Sequence, residues 1–353
     1  MRKISRLIPS LLLFLLTAQT RGQDSLMYVH YIDVGQGASV LLEFPCGAIL
    51  IDAGAADDSY HKALLTYLGH FFQRRKDLDS TLALVMVTHP HIDHNEVLYD
   101  IARTFRIDRY IDDGLRVGSG RANQKFMQDS AAASDIQYRS YSFEQITRGG
   151  NKSGITDSII DPIDCPNADP HITLFSGRFE TQPAGWSATD FKNYNNHSLV
   201  IKVVFGKSSF LFTGDLETKG IQSIVDEYSS TNALDADVLM VGHHGAANAT
   251  TDAYLKEVTP LYAVISCGQW DAGKGGTDKF TTWYYGHPRI NTINLLDEYI
   301  PGNRPEAVKE EAAEGAKDFH LIKVTRNIYA TAWDHTIIIR ASLTGNYQIT
   351  TDN

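Results

Sequence analysis

Seven consecutive positions of this 353-residue chain, Thr88-His-Pro-His-Ile-Asp-His94, carry three histidines and an aspartate. An imidazole or carboxylate that leaves water without a partner costs several kcal/mol, so packing alone does not account for such a cluster, whereas a bound metal would. Imidazole nitrogen beside carboxylate oxygen is the donor set that suits zinc. Further residues of ligand type lie downstream: His197 in Asn195-Asn-His197, Asp215 after Gly214, His243 and His244 in Gly242-His-His-Gly245, and His287 in Tyr285-Gly-His-Pro288. Two ions held by such a set would acidify a shared water and polarise a scissile ester oxygen, which is hydrolytic chemistry.

The elements around these residues put them in comparable places. Leu82–Val87 is short and apolar, as a buried strand is, and its carboxyl end delivers the cluster. His89 and His91, two apart, point the same way from an extended segment, while Asp93 and His94 begin a helical stretch. Residues 27–34, 38–44 and 48–51 read as an antiparallel meander that stops at Asp52-Ala-Gly54, followed by a helix over 61–73. Residues 101–111 give a second strand-like end. Between 112 and 196 the pattern loosens into a segment rich in Ser, Gly, Asp and Asn, with a helix near 124–134 and short strands near Ile159 and over 172–175; long irregular segments of this kind either cover functional sites or elaborate the surface, and both readings stay open here. Order returns with a hairpin over 198–205 and 209–213, a helix over 217–228, a strand over 236–241, a helix over 252–258 and a strand over 262–266. Strands over 329–333 and 335–342 and a short one at 347–350 close the chain. Strands thus end repeatedly in His or Asp, at His89, Asp215 and His243/His244, which gathers ligands on one rim of a sheet.

Composition narrows the partners. Arg2, Lys3 and Arg6, an apolar run from Leu7 to Leu16 and small residues up to Gly22 have the layout of a secretory leader, too short in its apolar part to span a bilayer. Cleavage is expected within Ala18–Gly22, leaving residues 23–353 as the mature chain, exported and either periplasmic or secreted, with no transmembrane segment. Removing four cationic residues moves the net charge from −10 to −14, which disfavours extended nucleic-acid binding. Cys46, Cys165 and Cys267, an odd number in an exported chain, allow at most one internal disulfide.

Read in order, "HYIDVGQGASVLLEF", "ILIDAG", "THPHIDH", "NNHSLVI", "FLFTGDLE", "DVLMVGHHG" and "YGHP" resemble the metallo-β-lactamase-fold hydrolases, in particular the branch typified by the ComEC competence proteins; the phosphorylcholine esterases of that superfamily are similar too. The C-terminal "IYATAWDHTIIIRASLTGNYQIT" resembles the family's closing hairpin. The resemblance implies an α/β fold, the αββα four-layer sandwich, with two divalent metal ions, most often Zn2+. It implies that His89, His91 and a later histidine hold one ion, that Asp93, His94 and a histidine of the "HHG" element hold the other, and that Asp215 bridges them. Two assignments stay open at this level. Asn195 stands where other members have a ligand histidine, and His197, two residues on and so on the same strand face, competes with it; Asn195 otherwise binds substrate. Beside Gly245, His244 corresponds best to the last ligand, which leaves His243 to bind substrate or move a proton, and the two are exchangeable. Asn95-Glu96 depart from the family's small residues, so Glu96 is expected to narrow the approach.

The chemistry implied is hydrolysis of a phosphodiester, in a nucleic acid fragment or a small headgroup ester, by a metal-bridging hydroxide, with Asp93 orienting it and His243 and His287 assisting. Arg289, close to His287, favours a phosphate. Two other readings are a lactone, lactam or thioester hydrolase of the same fold, marked by an apolar pocket beside the metals, and a non-catalytic binding protein that metal merely stabilises.

Overall fold

The computed structural model describes residues 26–352, so the leader expected over 1–22 lies outside the described residues. Nearly every strand near the site is buried on both faces, and the apolar residues sort by parity. In β1 (Leu26–Tyr31), β2 (Val40–Phe44), β3 (Gly47–Ile51) and β4 (Leu84–Met86), the residues Met27, Val29, Leu42, Ile49, Leu84 and Met86 face one core, and Leu41, Leu50 and Val85 face another. β5 (Arg109–Asp112) and β6 (Gln137–Ser140) extend this sheet. A second sheet contains β7 (His171–Ser176), β8 (Val200–Phe205), β9 (Ser208–Phe212), β10 (Val238–Met240) and β11 (Tyr262–Ile265). Its residues Ile172, Ile201, Val203, Phe210, Phe212 and Val238 meet the first sheet in the shared core.

After a long hairpin of β12 (Asn303–Gly315) and β13 (Asp318–Arg326), the chain adds β14 (Ile328–Ala330) to the second sheet and β15 (Ile337–Ser342) and β16 (Tyr347–Thr351) to the first. The strand orders are β16-β15-β1-β2-β3-β4-β5-β6 and β14-β11-β10-β9-β8-β7. In each sheet the pairings that lead toward the site are parallel: β3 with β4, β4 with β5, β9 with β10, and β10 with β11. Parallel neighbours end together, and these carboxyl ends form the rim that carries the chemistry.

Helices cover both outer faces. α1 (Asp58–Arg74) begins at Asp57, whose carboxylate caps the Ser59 and Tyr60 amides, and it buries Leu64, Leu68 and Phe71. It shares the first sheet's outer core with Ile101 of α3 (Leu98–Thr104) and Met127 of α4 (Arg121–Ala132), α2 being the single turn Ile92–Asn95. α5 (Thr218–Tyr228), α6 (Asp252–Val258) and α7 (Ile290–Tyr299) cover the second sheet through Ile221, Ile224, Leu255 and Leu296. Two sheets between two helical layers make the αββα sandwich.

Four departures from the sequence reading have local causes. The strand-like end at 101–111 divides into the end of α3 and β5, because Ile101 packs with the helical layer. Within 112–196 the expected helix and the strand over 172–175 are present as α4 and β7, but the segment also supplies an unexpected edge strand, β6, to the first sheet, and the stretch near Ile159 is a turn, while Ile160 and Ile163 enter the central core. The closing strand at 329–333 is cut by a helical turn, Thr331–Asp334. The β12–β13 hairpin went unread: "EAVKEEAAEGAK" has the composition of a helix, and a hairpin largely exposed on both faces shows no period of two.

Two covalent or ionic ties brace the first sheet. Cys46 and Cys165 form a disulfide that closes 119 residues and ties the 155–170 segment to the β2–β3 turn, while Cys267 stays a buried free thiol. On the outer face, buried Glu43 accepts from Arg74 Nη2 (2.7 Å) and Arg75 Nη1 (2.9 Å) and lies 3.3 Å from His30 Nε2. Burial alone would raise the Glu43 carboxyl, but the hydrogen bonds from His30, Arg74 and Arg75 outweigh it and hold it well below the usual carboxylate range.

An unfolded Glu titrates near about 4.3. The stability from this cluster is therefore complete above roughly pH 5 and is lost as pH falls through the depressed folded value. Thermal melts across acid pH are expected to show Glu43→Gln starting lower at neutral pH and losing less than wild type on acidification; parallel curves would refute the coupling. Replacing Cys46 and Cys165 by alanine is expected to cost about 2–4 kcal/mol in urea unfolding.

Candidate metal centre

The cluster sits where β4 ends. Thr88 leaves the strand, its amide (2.7 Å) and hydroxyl (2.9 Å) both donating to Asp52 at the end of β3, and α2 then turns Asp93 and His94 back toward the sheet. Asp52 also receives His94 Nδ1 at 2.7 Å, so one buried carboxylate gathers three donors. Ala38 N donates to Asp93 O and Ala53 N to His94 O, tying the loop to the first sheet. The approach is close enough to require Gly54, where a Cβ would fall 1.7 Å from Asp93 O. From the second sheet, Asp215 follows β9 and His244 follows β10.

Six side chains converge. His89 Nε2 lies 3.0 Å from His91 Nδ1 and 3.8 Å from Asp215 Oδ2. His94 Nε2 lies 3.1 Å from Asp215 Oδ1 and 3.3 Å from His244 Nε2, and His244 Nε2 is 3.3 Å from Asp93 Oδ2. Asp93, His94, Asp215 and His244 present ligand atoms that all lie within 4.8 Å of one another.

The hydrogen bonds behind the rings set their tautomers. His94 Nδ1 faces the Asp52 carboxylate and His244 Nδ1 donates to Ser266 O at 2.7 Å, so both Nε2 atoms turn lone pairs toward each other. Thr88, its proton given to Asp52, accepts from His89 Nδ1 at 3.1 Å, which leaves His89 Nε2 a lone pair as well. Lone pairs and two carboxylates face to face call for positive charge between them. Accordingly, although burial lowers His94 and His244, Asp215 with Asp52 raises His94 well above the usual imidazole range, and Asp215 with Asp93 raises His244. His89 is pushed well below it, by burial first and then by His94. The donor set therefore fits divalent metal: His89 and His91 on one side, Asp93, His94 and His244 on the other, and Asp215 in reach of both.

The remaining expected residues divide. His197 is not brought to the site: Nδ1 accepts the Phe179 amide at 3.1 Å and Nε2 donates to Phe191 O at 2.7 Å. The face argument fails there because Tyr194–His197 is a 3₁₀ turn, in which positions two apart diverge. Asn195 does line the cleft; its Nδ2 donates to Glu217 at 2.8 Å and its buried Oδ1 has no partner among the described residues. His243 lies at the cleft, Nε2 3.8 Å from Asp215 and Nδ1 3.5 Å from Glu217. Gln36 Nε2 donates to His287 Nδ1 at 3.2 Å while Gln36 Oε1 accepts from Thr282, so His287 keeps its proton on Nε2; burial, then His243 and His244, hold it neutral, well below the usual range. Arg289 is turned away, onto the carbonyls of Tyr285 (2.9 Å) and Glu314 (3.2 Å). Glu96 does not line the cleft either, because α2 carries it to the side of His61.

Asp52, Glu217 and Gln36 were missed, although Asp52 stood at a strand end like the ligands. Strain marks the same place: Asp52, His243 and His244 hold φ of 59°, 48° and 55°, unusual for residues with side chains. A cleft of about 490 Å³ opens over the group, bordered by Ala55, Ile92, Ser119, Asp278, Phe280 and Tyr285.

Comparison with known proteins agrees with this geometry. Residues 32–269 match the family described as the Metallo-beta-lactamase superfamily. Competence protein ComA of Neisseria gonorrhoeae is 39% identical over 127 residues, 33% of this chain and 18% of that protein. ComE operon protein 3 of Bacillus subtilis is 34% identical over 112 residues, 32% of this chain and 12% of its own length. The matches thus span less than a fifth of these relatives. The solved metallo-beta-lactamase fold protein YhfI from Bacillus subtilis is 12% identical with a TM-score of 0.39, over 68% of this chain and 85% of that one. A match that starts just after β1 and ends just after β11, over a rim where both sheets deliver imidazole and carboxylate, makes this chain a member of the metallo-β-lactamase superfamily, similar over about a third of its length to the competence proteins named above.

Proposed function

We propose that this protein is an exported, dinuclear, metal-dependent phosphodiesterase. The observation that carries the reading is the convergence of His94 Nε2 and His244 Nε2 with the Asp93 and Asp215 carboxylates beneath an open cleft. Two divalent ions held there, zinc by donor type, would supply the Lewis acidity that activates water and polarises the ester. The chain's own groups do the rest. Asp52, Ser266 O and Thr88 hold the Nδ1 protons of His94, His244 and His89, so each ring keeps its Nε2 toward the cleft. His287, neutral and protonated at Nε2, donates to a phosphoryl oxygen. His243, with the Glu217 carboxylate 3.5 Å from its Nδ1, protonates the leaving oxygen.

The resemblance of the ligand motifs to the ComEC-like hydrolases supports a phosphodiester, and the Cys46–Cys165 bond supports an oxidising compartment after loss of a leader over 1–22 from one hydrolase domain, 23–353. A cleft open above the ligands supports an enzyme over a purely metal-stabilised binding protein. A second reading, hydrolysis of a lactone, lactam or thioester, is favoured by Ala55, Ala56 and Ile92 at the cleft and by Arg289 standing outside it.

Metal-loaded protein assayed side by side on bis-p-nitrophenyl phosphate, a lactone and a β-lactam is expected to turn over the diester, to stop when metal is chelated and to recover when it is restored. Turnover of the lactone or lactam alone would replace the reading. Asp52→Asn, which suits the left-handed backbone but cannot hold His94 as an anion does, is expected to weaken metal binding about 10- to 100-fold by chelator competition.

A further inference from the structure

The wall of the cleft opposite α2 lies beyond residue 269, where the superfamily match ends, and is built by a loop that the β12–β13 hairpin supports from behind. Phe319 of β13 stacks on Trp283 (5.6 Å between centroids, 13° between planes) and lies 5.9 Å from Trp270. Lys317 N donates to Trp283 O, and Ala313 N donates to Pro288 O. The loop so held turns three side chains to the cleft. Tyr285 is stacked on His287 (5.6 Å, 13°), Phe280 is 72% exposed with its ring 6.4 Å from Tyr285, and Asp278 accepts the Phe280 amide at 2.9 Å.

The charge that this wall turns to the cleft is one-sided. Among the described residues that line the cleft there is no Lys or Arg, and Asp278 has no ion-pair partner among the described residues. Lys279, between Asp278 and Phe280, is exposed but is not among the residues that line the cleft; of the other cations nearby, Lys274 Nζ lies over the Trp270 and Trp283 rings (4.4 and 4.8 Å), Lys317 Nζ over Tyr284 (3.8 Å), and Arg289 on two carbonyls. A phosphate next to the scissile one would find a carboxylate and no cation among the residues lining the cleft, while a flat, uncharged ring would find the open face of Phe280.

We propose that Asp278, Phe280 and Tyr285 form a specificity wall that selects diesters with a single phosphate whose second substituent is a planar uncharged ring laid on Phe280, and that turns away substrates carrying a further phosphate. This rests on the phosphodiesterase reading and narrows it to nucleotide-sized or smaller esters.

The test uses metal-loaded full-length protein and three substrates with one leaving group: methyl p-nitrophenyl phosphate, the p-nitrophenyl ester of a nucleoside monophosphate, and that ester with a further phosphate on its sugar. The nucleoside ester is expected to exceed the methyl ester in kcat/KM by about tenfold through stacking, and Phe280→Ala to erase that margin. The added phosphate is expected to cost about tenfold at low salt and less at high salt, with Asp278→Asn reducing the penalty and Asp278→Lys reversing it. Equal kcat/KM on all three substrates, or ratios unmoved by these exposed-loop variants, would overturn the wall while leaving the phosphodiesterase reading intact. If no diester reacts, that reading fails, and the wall is judged by quenching of Trp270 and Trp283 fluorescence. A nucleoside monophosphate binding more tightly than the bisphosphate, with the difference lost in Asp278→Asn, would support the wall, and equal binding would overturn it.

Discussion

Two imidazole nitrogens 3.3 Å apart, each with its lone pair turned to the other, repel unless positive charge lies between them. The rest of the rim is arranged to keep them there. Each Nδ1 is committed to an oxygen behind it, the Asp52 carboxylate for His94 and the Ser266 carbonyl for His244, so neither ring can rotate away without leaving a buried polar atom unpaired. Those two oxygens belong to opposite sheets, Asp52 at the end of β3 and Ser266 just after β11. The distance across the site is thus set by how the sheets pack, and the packing is fixed by the central core from Met27 to Val238.

That dependence accounts for where strain is tolerated. Asp52, His243 and His244 lie in the left-handed region, which disfavours residues with a Cβ, yet all three sit where a parallel strand has just ended and the chain must turn a side chain to the rim. At Asp52 the conformation is held by three hydrogen bonds into one buried carboxylate. Gly54 extends the same logic to packing, since the ligand loop lies against β3's end at a distance that excludes any side chain.

Much of this was legible in the sequence. The two-sheet core was visible because strands buried on both faces are short continuous apolar runs, and the ligands because each follows such a run. His197 was misplaced for a definite reason: "NNHSLVI" reads as a strand from its first residue, while the strand begins at Val200 and the asparagines close a 3₁₀ turn whose amides bond Glu217 and the Asp190 carbonyl. Arg289 failed differently, because nearness to His287 in sequence says nothing of which way a long side chain reaches, and the carbonyls of Tyr285 and of Glu314 in the hairpin took it. Asp52 was passed over since an aspartate after a strand is also an ordinary turn residue, and its role depends on a contact 42 residues away.

The hairpin was invisible for a related reason, and that bears on how specificity is divided in this fold. Period and apolarity report on burial, and β12–β13 is largely exposed, so it leaves little trace in a reading built on cores. It buries only Ala312, Ala313 and Val324, and it forms a half-buried aromatic seam, Phe319 against Trp283 and Trp270, joined to the loop that forms one side of the cleft. The metal rim lies within the part of the chain that matches the superfamily, and the wall facing it lies outside. Chemistry and selection therefore rest on separate supports. The first depends on two sheets holding ligands at fixed spacing, which permits little change; the second depends on one seam of stacked rings behind an exposed loop, where Asp278 and Phe280 can vary without disturbing either core.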